Sequence, residues 1–235
     1  MKLFDSCVLD LQNLLFQNAV SFEKPAQPCA DVGRNQLLFG PDTAFELGGS
    51  GLAGMGGILF TEDPLLVPSD GVAVVGPQLN EIKKDCSYAR ITLVRLKNDV
   101  FESGDALYKG LRKIDYTRYH VNPEGFMMRI SSMNDRECAR VGKQALKDGL
   151  SFAAVGSLMI KAYHVYPEVQ AVRIAFVTAP DFDFNKTHSI LKKAEDITKT
   201  LDHLANKVKM DCDACGLKQV CAEVEDLCKE EFGKS

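Results

Sequence analysis

The sequence lacks a surplus of charge of either sign. Its 28 Lys and Arg residues against 32 Asp and Glu residues give a formal net charge of −4. Nucleic-acid binding needs a strong basic surplus or stripe, so this balance argues against nucleic acid as a main partner. The sequence also lacks any apolar run long enough to span a bilayer, which argues against a membrane protein.

Targeting and catalytic signatures are missing too. Asp5 and Asp10 interrupt the first segment, "MKLFDSCVLDLQNLLFQ", and no small-residue cleavage site follows it, so it does not resemble a signal peptide. We therefore expect a cytoplasmic protein, whose thiols are normally kept reduced. No internal repeat occurs. No histidine stands beside a Ser or Cys in a recognisable nucleophile motif; the four are His120, His164, His188 and His203.

What is present is an interleaved pattern of strands and helices. Short apolar or alternating runs predict strands at "TAFELGG", "GVAVVG", "ARITLVRL", "GFMMRISS" and "VQAVRIAFVT". Helical spacing or N-cap residues predict helices at the N-terminus, from Ser103 to Ile114, and over "DRECARVGKQALKDG", "SFAAVGSLMIKAYHVYP" and the long segment beginning "FNKTHSILKKAED". The long helix has a predicted apolar stripe of Ile190, Leu191, Ala194, Ile197, Leu201 and Leu204.

These elements predict a mixed α/β (α+β) fold, with a sheet packed against helices. The predicted domain covers residues 1–209. Residues 210–235 then form a short cysteine-rich appendage that we expect to bind a metal.

The C-terminal cysteines have the spacing Cys-x2-Cys-x5-Cys-x6-Cys, made by Cys212, Cys215, Cys221 and Cys228. A Cys-x2-Cys turn can direct two thiolates at one metal. If "CAEVEDLCKEEF" is helical, the last two cysteines lie on one face of it. Four thiolates suit tetrahedral zinc or an iron–sulfur cluster, and the residues alone leave these two nearly level. The alternative is a set of thiols without a metal.

Other cysteines and histidines carry weaker signals. His203 could replace one thiolate as a ligand, but an exposed helix face is the simpler interpretation. Four isolated cysteines are expected to be structural thiols: Cys7, Cys29, Cys86 and Cys138.

Gly49, Gly51 and Gly54 form a literal G-x-G-x-x-G after a predicted strand, and Asp70 lies 21 residues after Gly49. This arrangement raises the possibility of a dinucleotide-binding loop. Three glycines disfavour the helix that such a motif requires, and the later chain does not continue a doubly wound pattern. A tight loop between closely packed backbones is the favoured interpretation.

Arginines are spread through the central part of the chain. Guanidinium groups suit phosphate binding, as in a nucleotide or coenzyme A. Solvated surface charge and ion pairs are the more common role of such residues. The set consists of five arginines and one neighbouring lysine: Arg112, Lys113, Arg118, Arg129, Arg136 and Arg140.

From about Asp42 onward, the chain resembles the middle region of acetyl-CoA synthase, the β subunit of the carbon monoxide dehydrogenase/acetyl-CoA synthase complex. The similar segments are "TAFELGG", "VVGPQLNEIKKDCSYARITLVRL", "LRKIDYTRYHVNPEGFMMRI" and "RVGKQALKDGLSFAAVGSLMIKAYHVYPEVQAVRIAFVT". In both, a long helix leads into a Cys-x2-Cys. The resemblance covers roughly four fifths of the chain and rests on element order and scattered identities.

This resemblance favours an iron–sulfur cluster over zinc. It implies a [4Fe–4S] cluster with Cys212 and Cys215 as its first two ligands and Cys221 and Cys228 as its third and fourth, although both intervening loops are shorter than in the family. The family's Cys-Gly-Cys, which binds nickel, does not occur in this sequence. The resemblance therefore implies no acetyl-CoA synthesis by this chain alone, and whether it is an enzyme stays open.

The function expected from the sequence is that of an accessory protein in anaerobic one-carbon metabolism. It would bind an iron–sulfur cluster and act in electron transfer, cluster chemistry or docking of a protein or redox partner. The resemblance also implies that coenzyme A approaches this region, where Arg112 is the position that matches the family. We expect the α/β body to bind a coenzyme A-like group through Arg112, Arg118 and Arg129. Two alternatives are a structural zinc-bearing interaction module and a nucleotide- or coenzyme A-binding enzyme that uses the glycine-rich loop.

Overall fold

The structure, a computed structural model, describes residues 2–16, 24–34, 36–131, 135–206 and 215–232. The helices within these residues are α1 Asp5–Phe16, α2 Gly104–Asp115, α3 Lys143–Lys147, α4 Phe152–Tyr163, α5 Phe184–Asn206 and α6 Lys218–Phe232. The strands are β1 Thr43–Leu47, β2 Gly54–Thr61, β3 Gly71–Val75, β4 Tyr88–Leu96, β5 Phe126–Ile130, β6 Glu137–Gly142 and β7 Val169–Val177. The predicted mixed α/β fold is confirmed.

The larger sheet has four strands in the order β2-β4-β7-β3. The pairs β2–β4 and β7–β3 are parallel, whereas β4 and β7 are antiparallel, with Ala89 opposite Val177. β4 and β7 are buried along almost their whole length. Their near-continuous apolar runs suit central strands that are covered on both faces.

The smaller sheet is antiparallel, in the order β1-β6-β5. Its inner face buries Phe45, Phe126, Ala139 and Val141. The helix predicted over "DRECARVGKQALKDG" is wrong in its first half, because that half forms β6 and only the short α3 follows. Pairing with β1 on one side and β5 on the other outweighs the helical preference of these residues.

Two glycines of β2 explain why a glycine-rich segment forms a strand. A Cβ atom at Gly56 would overlap the Glu137 carboxylate, and one at Gly57 would overlap the Leu191 side chain. The missing side chains therefore let β6 and α5 approach the edge strand of the larger sheet closely.

The helices cover the sheets as amphipathic elements. α4 packs against β3 and β7, while α1 and α5 pack against β2. The predicted N-cap is confirmed, because the Ser103 hydroxyl accepts a hydrogen bond from the Ala106 amide. The predicted stripe of α5 is buried except at Leu204, which is 37 % exposed. Among the described helices, none is both long and apolar enough to cross a membrane.

A buried ion pair joins the two sheets. Arg90 of β4 donates two hydrogen bonds to Glu137 of β6, from Nε to Oε1 at 2.6 Å and from Nη2 to Oε2 at 2.7 Å. The two side chains are 3 % and 0 % exposed. Burial alone would lower the pKa of Arg90, but the Glu137 carboxylate outweighs it and raises that pKa.

We expect the substitution Glu137→Gln to lower the free energy of unfolding by about 3–5 kcal/mol, because it leaves the Arg90 charge buried without a counter-charge. Equilibrium unfolding in denaturant measures this change.

The matched control is Asp105→Asn, which breaks the Lys109–Asp105 pair of α2. Its side chains are 71 % and 47 % exposed, so we expect a loss of at most about 1 kcal/mol. Equal losses in the two variants would contradict a special role for the buried pair.

Candidate functional site

The C-terminal cysteines lie on and beside α6, with one exception. Cys212 falls outside the described residues. Cys215 precedes α6, and Cys221 and Cys228 lie two turns apart within it, both partly buried. The predicted helix over "CAEVEDLCKEEF" is confirmed, and the two cysteines share one side of it.

That side of α6 faces the body of the protein. Val224, between the two cysteines in sequence, is 2 % exposed and belongs to the main hydrophobic core. The Cys221 thiol lies 3.6 Å from the Thr200 hydroxyl of α5. Cys228 also packs against the core. Helix packing therefore accounts for the positions of both cysteines in the structure.

Within the part of the chain that the structure describes, no group of three or more His, Cys, Asp or Glu side chains is placed to hold a metal ion. Thiolates have the right chemistry for an iron–sulfur cluster or zinc. Since Cys212 lies outside the described residues, the four-thiolate site stays a prediction.

The glycine-rich loop is a turn between two strands. Gly51 has a φ of +78°, and Gly54 begins β2, where a Cβ atom would lie 2.5 Å from the Gly48 carbonyl oxygen. The favoured interpretation, a tight loop between close backbones, fits this geometry. A dinucleotide-binding loop would open a helix, whose N-terminus binds the phosphates, whereas this loop opens β2.

Two of the three arginines suggested for coenzyme binding meet around one carboxylate. Arg112 of α2 donates to Asp115 Oδ2 from Nη1 at 3.0 Å. Arg118, in the 3₁₀ turn Tyr116–Tyr119, has its Nη1 3.7 Å from Asp115 Oδ1. Both arginines line a cavity of about 130 Å³ between β2, α2 and α5.

Arg118 also connects this cavity to a second concavity, which Arg129 lines. Arg129 is exposed on β5, on the outer face of the smaller sheet. It lines a third concavity with Arg136, Arg140 and the start of the glycine-rich loop at Gly49. The structure thus places Arg112, Arg118 and Arg129 along adjoining concave surfaces, which we call the arginine band.

The environment of Asp115 perturbs its ionisation. The residue is 9 % exposed. Burial raises its pKa above the ordinary value of 3.8, and the nearby charges of Arg118 and Arg112 reduce this rise without cancelling it.

The remaining singled-out residues lie away from the band or have structural partners. His164 bonds Asp70 at 2.9 Å, and His188 bonds Asp135 at 2.7 Å. Burial raises the pKa of each isolated thiol, reaching about 11 for Cys29, which keeps them as weakly nucleophilic thiols; the four are Cys7, Cys29, Cys86 and Cys138.

Sequence reasoning missed Asp115, Arg90 and Glu137. Asp115 stands three residues after Arg112 on the same helix, so an i,i+3 pair was a usable signal. Glu137 gave no such signal, because its partner is 47 residues away in sequence.

No protein-family model matches this chain, and no curated protein matches it. The resemblance to acetyl-CoA synthase therefore rests on the sequence segments alone.

The raised pKa of Asp115 sets the sign of its effect on stability. The folded state holds this proton more tightly than the unfolded state, so the contribution of the group is fully present below the unfolded pKa. That contribution is lost as the pH rises through the folded pKa. We expect the free energy of unfolding of the wild type, minus that of Asp115→Asn, to fall as the pH rises from about 3 to about 7.

Denaturant unfolding across this range measures the difference, and a carbon-13 NMR titration of the carboxyl group measures the midpoint directly. A midpoint at or below 3.8 would contradict the prediction.

Proposed function

We propose that this protein binds a phosphate-bearing coenzyme of the coenzyme A type along the arginine band, as an acetyl-CoA synthase-related accessory in anaerobic one-carbon metabolism. The single observation that carries the proposal is the position of Arg118. It lines both the cavity of Arg112 and the concavity of Arg129.

The concavity between Arg118 and Arg129 has the size of a small-molecule site. Its volume is about 490 Å³, within the range of roughly 300–1,000 Å³ that is usual for such sites. The guanidinium groups of Arg118 and Arg129 in its lining match the paired oxygens of phosphates. Met127 and Phe126 add apolar surface to the same lining.

The existing ion pairs of the arginines favour Arg129 as a phosphate contact. Arg112 is engaged by Asp115, and Arg140 is bonded to Glu46. Arg129, by contrast, is exposed on its strand. Gly49 and Ser50 of the glycine-rich loop line the same concave surface as Arg129.

Binding, rather than acetyl-CoA synthesis, is the role we assign. Presenting a coenzyme to a protein or redox partner requires only the arginine band and a docking surface.

A second candidate function is an iron–sulfur cluster on Cys212, Cys215, Cys221 and Cys228. The observation in its favour is that the last two lie two turns apart on one side of α6, with Cys215 just before the helix. Zinc on the same thiolates, serving a structural interaction module, is its alternative.

For the coenzyme, we expect calorimetric titration with coenzyme A to show binding that Arg129→Gln weakens about tenfold or more, because a charge-assisted hydrogen bond to phosphate is lost. A parallel titration with a dinucleotide tests binding by the glycine-rich loop.

The control is Lys83→Gln, which removes one exposed charge in the loop between β3 and β4. It should leave the affinity unchanged. Failure of coenzyme A to bind the wild type, or an equal loss in both variants, would rule out the arginine band as the binding surface.

For the tail, we expect anaerobically purified protein to contain iron and to absorb visible light, because thiolate-bound clusters are coloured. The variant Cys215→Ser should lose both signals, while Cys138→Ser of β6 should keep them. A colourless sample that contains zinc would contradict the cluster and support the zinc site. A metal-free anaerobic sample would exclude both.

A further inference from the structure

The cavity between β2, α2 and α5 has a buried guanidinium without a full set of hydrogen bonds. Arg118 is 8 % exposed, and its Nε has no hydrogen-bond partner among the described residues. Its nearest carboxylate oxygen, Asp115 Oδ1, is 3.7 Å from Nη1, which is too far for a hydrogen bond. The Tyr119 ring lies against the guanidinium at 5.2 Å. A buried guanidinium whose Nε has no partner is costly unless an acceptor completes its bonding.

Asp115 has a matching deficit. Its Oδ2 accepts from Arg112, but its buried Oδ1 accepts no hydrogen bond within the described chain. The Asp115 Oδ1 acceptor therefore lies beside Arg118, whose Nε donor also lacks a partner in the described residues. A ligand that satisfied both would carry an anionic acceptor group next to a hydrogen-bond donor.

The rest of the cavity is mostly apolar. Side chains of β2, α2 and α5 contribute hydrocarbon surface, namely Ile58, Phe60, Leu111, Leu191 and Ala194. The two other carboxylates at the lining already have basic partners, since Asp135 bonds His188 and Glu195 bonds Lys192 and Lys199. Asp115 and Arg118 are therefore the groups whose bonding is incomplete.

The size of the cavity limits the ligand. Its volume of about 130 Å³ is well below the roughly 300–1,000 Å³ that is usual for drug-sized ligands. The cavity therefore suits a small organic molecule better than a nucleotide or coenzyme.

We infer that this cavity binds a small 2-hydroxy or 2-amino carboxylate. The carboxylate accepts hydrogen bonds from Arg118, the neighbouring hydroxyl or ammonium group donates to Asp115, and a short carbon chain contacts the apolar wall. The site shares Arg118 with the arginine band but does not include Arg129, and the inference does not depend on coenzyme binding.

Titration of the full-length protein with four small probes tests this inference. The probes are 2-hydroxypropanoate, 2-aminopropanoate, propanoate and inorganic phosphate, and calorimetry or ligand-observed NMR measures their affinities. We expect at least one of the first two to bind about tenfold more tightly than propanoate, which lacks the donor for Asp115. Phosphate, which places extra negative charge beside Asp115, should bind more weakly than either.

Two variants separate the roles of the polar pair. Asp115→Asn should remove the preference over propanoate, and Arg118→Gln should abolish binding of all carboxylates, whereas Arg118→Lys should retain part of it. Arg129→Gln should leave these affinities unchanged while weakening coenzyme A binding, so this variant, unlike a change at the shared Arg118, distinguishes the two sites.

Measurements on the wild type decide the matter even if a variant does not fold. Amide shifts in the presence of the tighter-binding probe should concentrate on β2, α2 and α5. No binding at millimolar concentration, equal binding of propanoate, tightest binding of phosphate, or shifts located elsewhere would each overturn the inference.

Discussion

The fold depends on one ion pair in the space between the two sheets. Glu137 belongs to the middle strand of the small sheet and Arg90 to an inner strand of the large one, so their paired hydrogen bonds fix how the sheets face each other. Neither charge has access to water, so each is tolerated only because the other is present. The pair also requires a glycine at position 56, since any side chain there would occupy the place of the carboxylate. The ion pair, the glycine at position 56 and the packing of the two sheets therefore depend on one another.

The same constraint shapes the cavity of the candidate site. Gly56 and Gly57 form part of its lining, and their strand β2 is an edge strand whose Gly56 amide donates to the Asp135 carbonyl just before β6. Asp115 at the end of α2 and Arg118 in the following 3₁₀ turn contribute the polar pair. A polar pair held between a glycine-lined strand and two helices is shielded from water, and electrostatic interactions there are stronger than at the surface.

Local pattern predicted most of the fold, and it failed where distant contacts decided the structure. β3, β4 and β7 are rich in apolar and β-branched residues, and Ser103 caps α2 as its sequence suggested. The segment around Glu137 has charged and helix-favouring residues, yet it forms a strand because β1 and β5 pair with it. For the site, arginine composition indicated Arg112 and Arg118, but only the three-dimensional structure showed that they share Asp115 and a cavity. The tail cysteines were easy to find in the sequence, whereas the packing of Cys221 against α5 depended on tertiary contacts.

The separation of Arg90 and Glu137 in the chain has a consequence during synthesis. The arginine leaves the ribosome first, and its partner follows 47 residues later, which takes about 2–9 s at about 5–20 residues per second. Throughout that interval, burial of β4 would leave the Arg90 charge without its counter-charge. The antiparallel neighbour of β4, β7, has not yet been made. The nascent chain must therefore keep a strongly apolar strand exposed for seconds, which makes β4 the natural segment for chaperone binding or for aggregation during translation.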